Sequence, residues 1–371
     1  MSTVEWKTLG EICNFKKGMM ITSKTAEDGT IPVVSGGQKP AFYHNASNRS
    51  GETITVAGSG AYAGFVSFWD KPIFVADAFS VSPKNENCLL TKYLFYYLQN
   101  VQGAIYNTKT SGGIPHVYSR FIENFIIPLP DVDNQQSIVN QLDTFTTLIS
   151  RLESELELRQ KQYEHYREEL LNFEGDAEVE WKTLGEICTI VRGASPRPIQ
   201  KYLANGTDGV NWIKIGDVES DDKYVTGTKE KITKEGAKKS RFLQKGSFIL
   251  SNSMSFGRPY ILQIEGCIHD GWIAISNYEE WIIDIYLYEI IRSKSIQTFW
   301  ELKANNGGAM SNLNSEIVKS TLIPIPPKHR QQQIVSQLDT FEQLITALKR
   351  EIVLRKKQYE YYREKLLTFD E

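Results

Sequence analysis

The strongest constraint on this chain is that it carries the same frame twice. Val4-Glu5-Trp6-Lys7-Thr8-Leu9-Gly10-Glu11-Ile12-Cys13 returns unchanged at Val179 to Cys188, an offset of 175 residues. A second matched pair runs from Ile127-Pro128-Leu129-Pro130 to Phe173 and from Ile323-Pro324-Ile325-Pro326 to Phe369, offset by 196, so the segment between the blocks is 21 residues longer in the second copy. An internal repeat decides architecture before any single element does. Between the matched blocks the copies diverge, apart from echoes such as Gly112-Gly113 against Gly307-Gly308. The chain therefore reads as two variable modules, residues 1–124 and 179–321, on a duplicated scaffold formed by residues 125–178, which include a linker, and 322–371.

Each scaffold copy has the pattern of a long helix. From Ile138 the apolar positions run Leu142, Phe145, Ile149, Leu152, Leu156, then Tyr163, Tyr166, Leu170 and Phe173, spaced alternately by three and four. That is a heptad seam. The second copy repeats it as Ile334, Leu338, Phe341, Ile345, Leu348, Ile352, Tyr359, Tyr362, Leu366 and Phe369. The one polar residue in each seam is Arg159 or Arg355, with Glu155 or Glu351 four residues earlier in the order that favours a helical ion pair. Residues 125–178 carry 4 basic against 12 acidic side chains and residues 322–371 carry 9 against 7, so the two helices are complementary in charge. An antiparallel pair is the compact solution. It would hold the modules at opposite ends about an approximate twofold axis.

The modules look α/β. Runs such as Thr53 to Ala57, Phe65 to Trp69, Phe74 to Ala76 and Ser247 to Leu250, set between Gly, Pro, Asn and Asp, read as short strands. Leu90 to Val101 and, more loosely, Ile283 to Leu302 read as helices. Hydrophobic residues at 41% and charged ones at 23% exclude a disordered chain. No apolar stretch approaches the roughly 18 to 20 residues of a membrane span. The first residues lack a basic-then-apolar secretory signal, which makes the cytoplasm the default expectation. Cys13, Cys88, Cys188 and Cys267 are too dispersed for paired metal ligands and are expected to be buried free thiols.

Catalytic constellations are missing. There is no phosphate-loop G-x-x-x-x-G-K-[ST], no H-E-x-x-H, no G-x-S-x-G and no Asn-Pro-Pro-aromatic motif of amino-methyltransferases. Gly58-Ser59-Gly60-Ala61-Tyr62-Ala63-Gly64 has one residue too many for a dinucleotide fingerprint and reads as a turn, as does His269-Asp270. No catalytic residue and no metal site is assigned. What the modules offer instead is donors on glycine-rich loops: Lys16, Lys17, Ser59, Tyr62, Lys109, Ser111, His116 and Tyr118 in the first. The second offers Ser195, Arg197, Lys201, Lys239, Arg241, Ser251, Asn252, Ser253, Arg258, Asn306 and Asn312. Arginine and lysine can read guanine, asparagine can read adenine, and hydroxyls and amides can take phosphates.

Two divergent modules, each opened by W-K-T-L-G-E-I and closed by I-P-x-P, then Gln135-Gln136 or Gln331-Gln332 and a K-Q-Y-E-x-Y-R-E-x-L-L-x-F helix, resemble the specificity subunit of Type I restriction-modification systems. The likeness covers essentially the whole chain. It implies an α+β fold: two α/β target-recognition domains held apart by an antiparallel two-helix coiled coil, each domain reading half of a split sequence in double-stranded DNA. It also implies docking of two methylation subunits, which bind S-adenosylmethionine and methylate adenine N6, in an assembly that two restriction subunits using ATP and Mg2+ can join. No cofactor is expected in this chain. Family loops for DNA contact fall near Lys16 to Met20, Ser59 to Tyr62, Ser111 to Tyr118, Ser195 to Lys201, Ser251 to Arg258 and Asn305 to Asn314. Two other readings stay open: a self-sufficient DNA methyltransferase, which would need its own cofactor site, and a coiled-coil scaffold with two protein- or sugar-binding modules.

Overall fold

The constant opening phrase forms a strand and then one helical turn, and its side chains say why. Glu5–Thr8 and Glu180–Thr183 are strands, each antiparallel to a strand of the closing block, Ile126–Leu129 or Leu322–Ile325, with Trp6 opposite Pro128 and Trp181 opposite Pro324. Prolines are tolerated because a two-stranded ribbon consists only of edges. The two best-matched blocks of sequence are thus the two sides of one ribbon that closes each module. Thr8 and Thr183 then begin one-turn helices, Leu9–Ile12 and Leu184–Ile187. Glu11 accepts hydrogen bonds from the Thr8 amide (2.7 Å) and hydroxyl (2.8 Å), and Glu186 accepts both from Thr183 at 2.6 Å. This reach-back satisfies an otherwise orphan amide. The same bonds hold both carboxyls below the usual carboxylate range.

The computed structural model describes residues 4–204, 208–219, 222–252, 256–305 and 312–369. It divides into two units, Met1–Glu155 with Leu348–Glu371, and Leu156–Ala347. The C-terminal segment of the chain therefore completes the first unit. The fold is a mixed helix-and-sheet tandem repeat.

In the first unit a four-stranded antiparallel sheet runs in the order Cys13–Lys17, Ala78–Pro83, Thr53–Ala57, Val66–Trp69. A three-stranded sheet sets Ile31–Val34 between Phe42–His44 and a parallel partner, Phe74–Val75. The second unit repeats this plan without repeating the sequence. Thr189–Arg192, Trp272–Ser276, Phe248–Ser251 and Pro259–Leu262 stand in the same order, with Tyr224–Val225 added at the edge. Val210–Ile213 lies between Glu230–Ile232 and a parallel partner, Gly266–Ile268, to which Arg241–Leu243 is added. Most of the extra length of the second copy lies between Val210 and Phe248, where both added strands sit.

One amphipathic helix covers the four-stranded sheet of the first unit, Thr91–Asn100, and a corresponding one, Asp284–Arg292, serves the second. Tyr93 and Tyr286 are fully buried on these helices, and their hydroxyls donate to the carbonyls of Pro128 (2.9 Å) and Pro324 (3.1 Å) on the closing ribbons. The loose helical pattern from Ile283 to Leu302 proves to be two helices, Asp284–Arg292 and Lys294–Asn305. Ser293 adopts an extended backbone between them and its hydroxyl donates to the Ile290 carbonyl at 2.7 Å, the local competition that makes serine a helix stopper.

The scaffold helices are Val132–Leu170 and Lys328–Leu367. The apolar seam outruns them: Phe173 lies beyond the first helix, buried in the second unit beneath the Arg330 guanidinium. The seam residues Leu142, Ile149, Tyr163, Leu338 and Ile352 are buried. Phe145, Leu152, Leu156, Arg159, Phe341, Ile345, Leu348, Arg355, Tyr359 and Tyr362 are half-buried, and Tyr166 is 40% exposed. Within the first unit the Phe145 and Tyr362 rings stack at 5.3 Å and Lys356 pairs with Glu153 at 2.7 Å, so the two helical segments run antiparallel. Within the second, Tyr166 stacks on Phe341 at 5.1 Å. Arg355 donates to Glu351 (2.7 Å) and Gln358 (2.8 Å), and Arg159 donates to Gln162 (2.9 Å).

Polar contacts weld helix to module in each unit. In the first, Asp143 accepts from Lys92 (2.6 Å) and Tyr96 (2.5 Å), and Tyr359 donates to Gln99 at 2.9 Å. In the second, Tyr163 donates to the buried Glu289 at 2.7 Å, and Lys223 pairs with Glu342 at 2.6 Å. Burial pushes the Glu289 carboxyl up, against the pull of Arg292, Tyr163 and Lys223. Among the described residues no helix is long and apolar enough to cross a membrane.

The cysteines depart from expectation at one position. Cys13 and Cys267 are buried and Cys188 is half-buried, but Cys88 is exposed on the turn before Thr91, where the Asn85 amide donates to its sulfur at 3.2 Å. Burial pushes the Cys13 and Cys188 thiols up to about 12. A native-state titration with a thiol-reactive disulfide at pH 8 is therefore expected to show one fast thiol, abolished by Cys88→Ser, with all four reacting in denaturant. A second fast thiol would mean that the core around Cys13 or Cys188 opens readily.

Candidate nucleic-acid interface

In the first module the three loops singled out from sequence meet around one aspartate. Asp77 heads the central strand Ala78–Pro83. Its carboxylate accepts the Ser59 hydroxyl, and its carbonyl accepts the Gly58 amide at 3.0 Å. The Gly18 and Met19 amides donate to Ala78 (2.8 Å) and Val75 (2.9 Å), which anchors the end of Cys13–Lys17 beside it. Ser59 also bridges to His116, while Gly60 donates to Pro115 at 3.0 Å and Val117 to Gly58 at 3.0 Å. Gly64 has φ +87° and a Cβ there would lie 3.0 Å from Ile105, so the glycine cluster is a turn that only glycine can close.

On this frame Lys16 and Lys17 are exposed, and their carbonyls accept from Arg49 at 3.0 and 3.1 Å. Lys109 donates to the Ala61 carbonyl at 3.3 Å and stands 4.3 Å over the Tyr106 ring. Tyr62, Ser111 and Tyr118 are exposed, and His116 is half-buried with its ring stacked on Tyr118 at 5.9 Å. Arg120, a residue the sequence did not single out, lies 5.0 Å over Tyr118 and 4.9 Å over Phe121.

The second module is also organised by an aspartate, Asp270. It accepts the Ser195 hydroxyl at 2.6 Å, faces Arg197 at 3.5 Å and His269 at 2.9 Å, and its carbonyl accepts from Arg192 (3.0 Å) and Asn252 (3.1 Å). The Ser195 hydrogen bond, with the neighbouring His269 and Arg192, holds its carboxyl below the usual range. His269-Asp270 is a hydrogen-bonded turn, closed by the Gly271 amide donating to His269 Nδ1 at 2.9 Å.

The remaining candidates of this module divide in two. Arg197, Lys201, Lys239, Arg241, Arg258 and Asn312 are exposed, with Lys239 standing 4.8 Å over the Tyr202 ring. Ser251 and Asn252 are buried instead and shape their loop from within. Ser251 Oγ accepts the Arg258 amide at 3.2 Å, and Asn252 links Gly271 (3.0 Å) to Leu313 (2.9 Å) through its backbone. Ser253 and Asn306 lie outside the described residues. The two aspartates share a short local pattern in the sequence. Val75-Ala76-Asp77-Ala78-Phe79 and Ile268-His269-Asp270-Gly271-Trp272 share an apolar, any, Asp, small, aromatic pattern.

The paired glutamines of the scaffold are not equivalent. Gln135 is fully buried: its side-chain oxygen accepts the Leu90 amide at 2.9 Å and its nitrogen donates to Cys88 (2.8 Å) and Pro130 (2.9 Å). Gln331 repeats this with Ile283 (2.9 Å), Trp281 (3.0 Å) and Pro326 (2.9 Å). Each thereby pins the start of the module helix to the start of the scaffold helix. Gln136 and Gln332 are exposed. Gln136, with Asp133, Ser137, Asn140, Gln141 and Thr144, lines an open polar cleft on the first scaffold helix.

Comparison with known proteins supplies the family. The family model for the Type I restriction modification DNA specificity domain matches residues 1–158 and again 177–354. The chain is 29% identical over 410 residues to the Type I restriction enzyme EcoR124I/EcoR124II specificity subunit of Escherichia coli, covering 99% of this chain and 94% of that one. It is 29% identical over 390 residues to a putative type I restriction enzyme specificity subunit of Haemophilus influenzae, covering 99% and 96%. In fold it is similar to the crystal structure of the Type I restriction-modification system S subunit from M. genitalium, with TM-score 0.63, 18% identity and coverage of 100% and 97%. The doubled ribbon, the shared strand plan and the doubled family match agree: this chain belongs to the Type I restriction-modification specificity subunits.

Proposed function

We propose that this chain is the non-catalytic DNA-reading subunit of a Type I restriction-modification complex, and that each module reads one half of a bipartite duplex target. The observation that carries this is the contrast between plan and loops. Both modules have one strand order and one aspartate at the head of the central strand. Around it the first presents Lys16, Lys17, Lys109 and Tyr118, and the second presents Arg197, Arg258 and Lys239. A constant frame with changed loop chemistry is what reading different base sequences requires. In this reading S-adenosylmethionine is bound by two methylation subunits, ATP and Mg2+ by restriction subunits, and the complex works in the cytoplasm, where the DNA is. The scaffold helices are, in this reading, where the methylation subunits dock.

The test exchanges residues 1–124 for the first module of another family member, co-expresses the chimera with its genomic neighbours, and maps methylated adenines across the genome. One half of the target is expected to change and the other to stay. Alteration of both halves would sink the proposal. Binding of S-adenosylmethionine by the isolated chain would point to a self-sufficient methyltransferase, and salt-insensitive indifference to duplex DNA would point to a protein- or sugar-binding scaffold.

A further inference from the structure

The reading loops of the first module carry an unusual load of exposed apolar side chains. Met20 is 81% exposed, Ile114 66% and Met19 61%, on two of the loops that converge on Asp77. Tyr62 and Tyr118 are exposed on the same set of loops, which are joined by hydrogen bonds from Met19 to Val75, Gly58 to Asp77 and Gly60 to Pro115. Single exposed apolar residues need no explanation, but a group on joined loops marks a contact surface. Lys16, Lys17 and Lys109 flank the group, which fits an occupant that offers phosphates around an apolar feature. After the equivalent strand of the second module, Gly193 is buried and Ala194 and Ser195, in the places of Met19 and Met20, are half-buried.

In duplex DNA the apolar feature of the major groove is the thymine C5-methyl, and apolar side chains are its partners. Resting on the DNA-reading function above, we propose that the first module recognises thymine in its half-site by burying C5-methyl groups against Met20, Met19 and Ile114. The first half-site must contain at least one A·T pair.

The experiment uses the chain assembled with its methylation subunits and a duplex carrying the mapped target. Each thymine of the first half is replaced in turn by deoxyuridine, which deletes the methyl and keeps the pairing. Affinity is expected to fall about three- to fivefold per contacted methyl, the value of one buried carbon group. Met20→Ala, Met19→Ala or Ile114→Ala is expected to weaken binding to the thymine target by a similar factor and to remove the thymine-over-uracil preference. These side chains are exposed, so the variants keep the fold. Full affinity for every uracil-substituted duplex overturns the proposal, as does a preference that survives in all three variants or a first half-site with no A·T pair. Loss of assembly with the methylation subunits in the absence of DNA also overturns it, and assigns the patch to a protein partner. Base-pair inversions in the same half separate the levels. If inversions weaken binding while uracil does not, the DNA reading stands and the methyl contact fails; if neither matters, both fail.

Discussion

Gln331→Leu is expected to destabilise the second unit by about 4 kcal/mol, while Gln332→Leu, one residue away, changes stability by less than about 0.5 kcal/mol. The asymmetry follows from burial. Gln331 is inaccessible, and three backbone groups depend on it: the Ile283 amide and the Trp281 and Pro326 carbonyls. Leucine fills similar space and offers none of them a partner, and each buried polar group left unsatisfied costs about 1–3 kcal/mol. The Ile283 amide matters most, because Ile283 is the N-cap residue of Asp284–Arg292 and Gln331 is what ties its amide down at the helix start. For a unit of this size the melting temperature is expected to fall by roughly 8–16 °C. Gln135→Leu is expected to do the same to the first unit through Leu90, Cys88 and Pro130. Thermal or urea denaturation decides the matter, and equal effects of Gln331→Leu and Gln332→Leu would refute the assigned roles.

Those glutamines show where the sequence was legible and where it was not. The frame could be read because it is doubled residue for residue: the matched blocks Val4 to Cys13 and Ile127 to Pro130 and the heptad spacing of Leu142, Phe145 and Ile149 mark the two copies and their long helices, while only the structure shows that the first two blocks pair as strands. The duplicated middle could not. A strand in a core asks only for apolar residues of suitable size, so Thr53–Ala57 and Phe248–Ser251 take equivalent places with no identity to betray it. The buried tyrosines at 93 and 286 and the aspartates at 77 and 270 are the few positions where a hydrogen bond demands one residue type. Within the loops composition misled in one direction. Ser251 and Asn252 have the polarity of a reading surface, but a tight turn consumes its own polar groups first, Ser251 as an acceptor and Asn252 as a donor. Met19, Met20 and Ile114 lie within the loops that the family resemblance marks, but apolar residues in loops carry no chemical signature until their exposure is known.

Arg258→Ala is expected to cost about 1–3 kcal/mol on the cognate duplex and little on unrelated DNA, as for a side chain that reads a base edge. The backbone makes this arginine the better candidate of the two that stand on the second module's loops. Arg258 is exposed on a turn whose geometry is set from beneath: its amide donates to the buried Ser251 hydroxyl at 3.2 Å, and the preceding Gly257 amide donates to the Ser251 carbonyl at 2.8 Å. Arg197 lies 3.5 Å from Asp270, so it must give up that carboxylate before it can meet a base, and Arg197→Ala is expected to cost less. Gly257→Ala separates contact from placement. Gly257 has φ +68°, and a Cβ there would lie 2.9 Å from the fully buried Trp300 ring and 3.1 Å from Gln297 Oε1. The indole is held by a 2.7 Å hydrogen bond to Thr321 and cannot yield, so the turn must move and carry Arg258 with it. Gly257→Ala is thus expected to lose most of the specific affinity lost by Arg258→Ala while leaving every charge in place. Competition binding at two salt concentrations checks both variants. A loss shared equally by cognate and unrelated DNA, with a salt slope reduced by about one, would make Arg258 a phosphate contact instead.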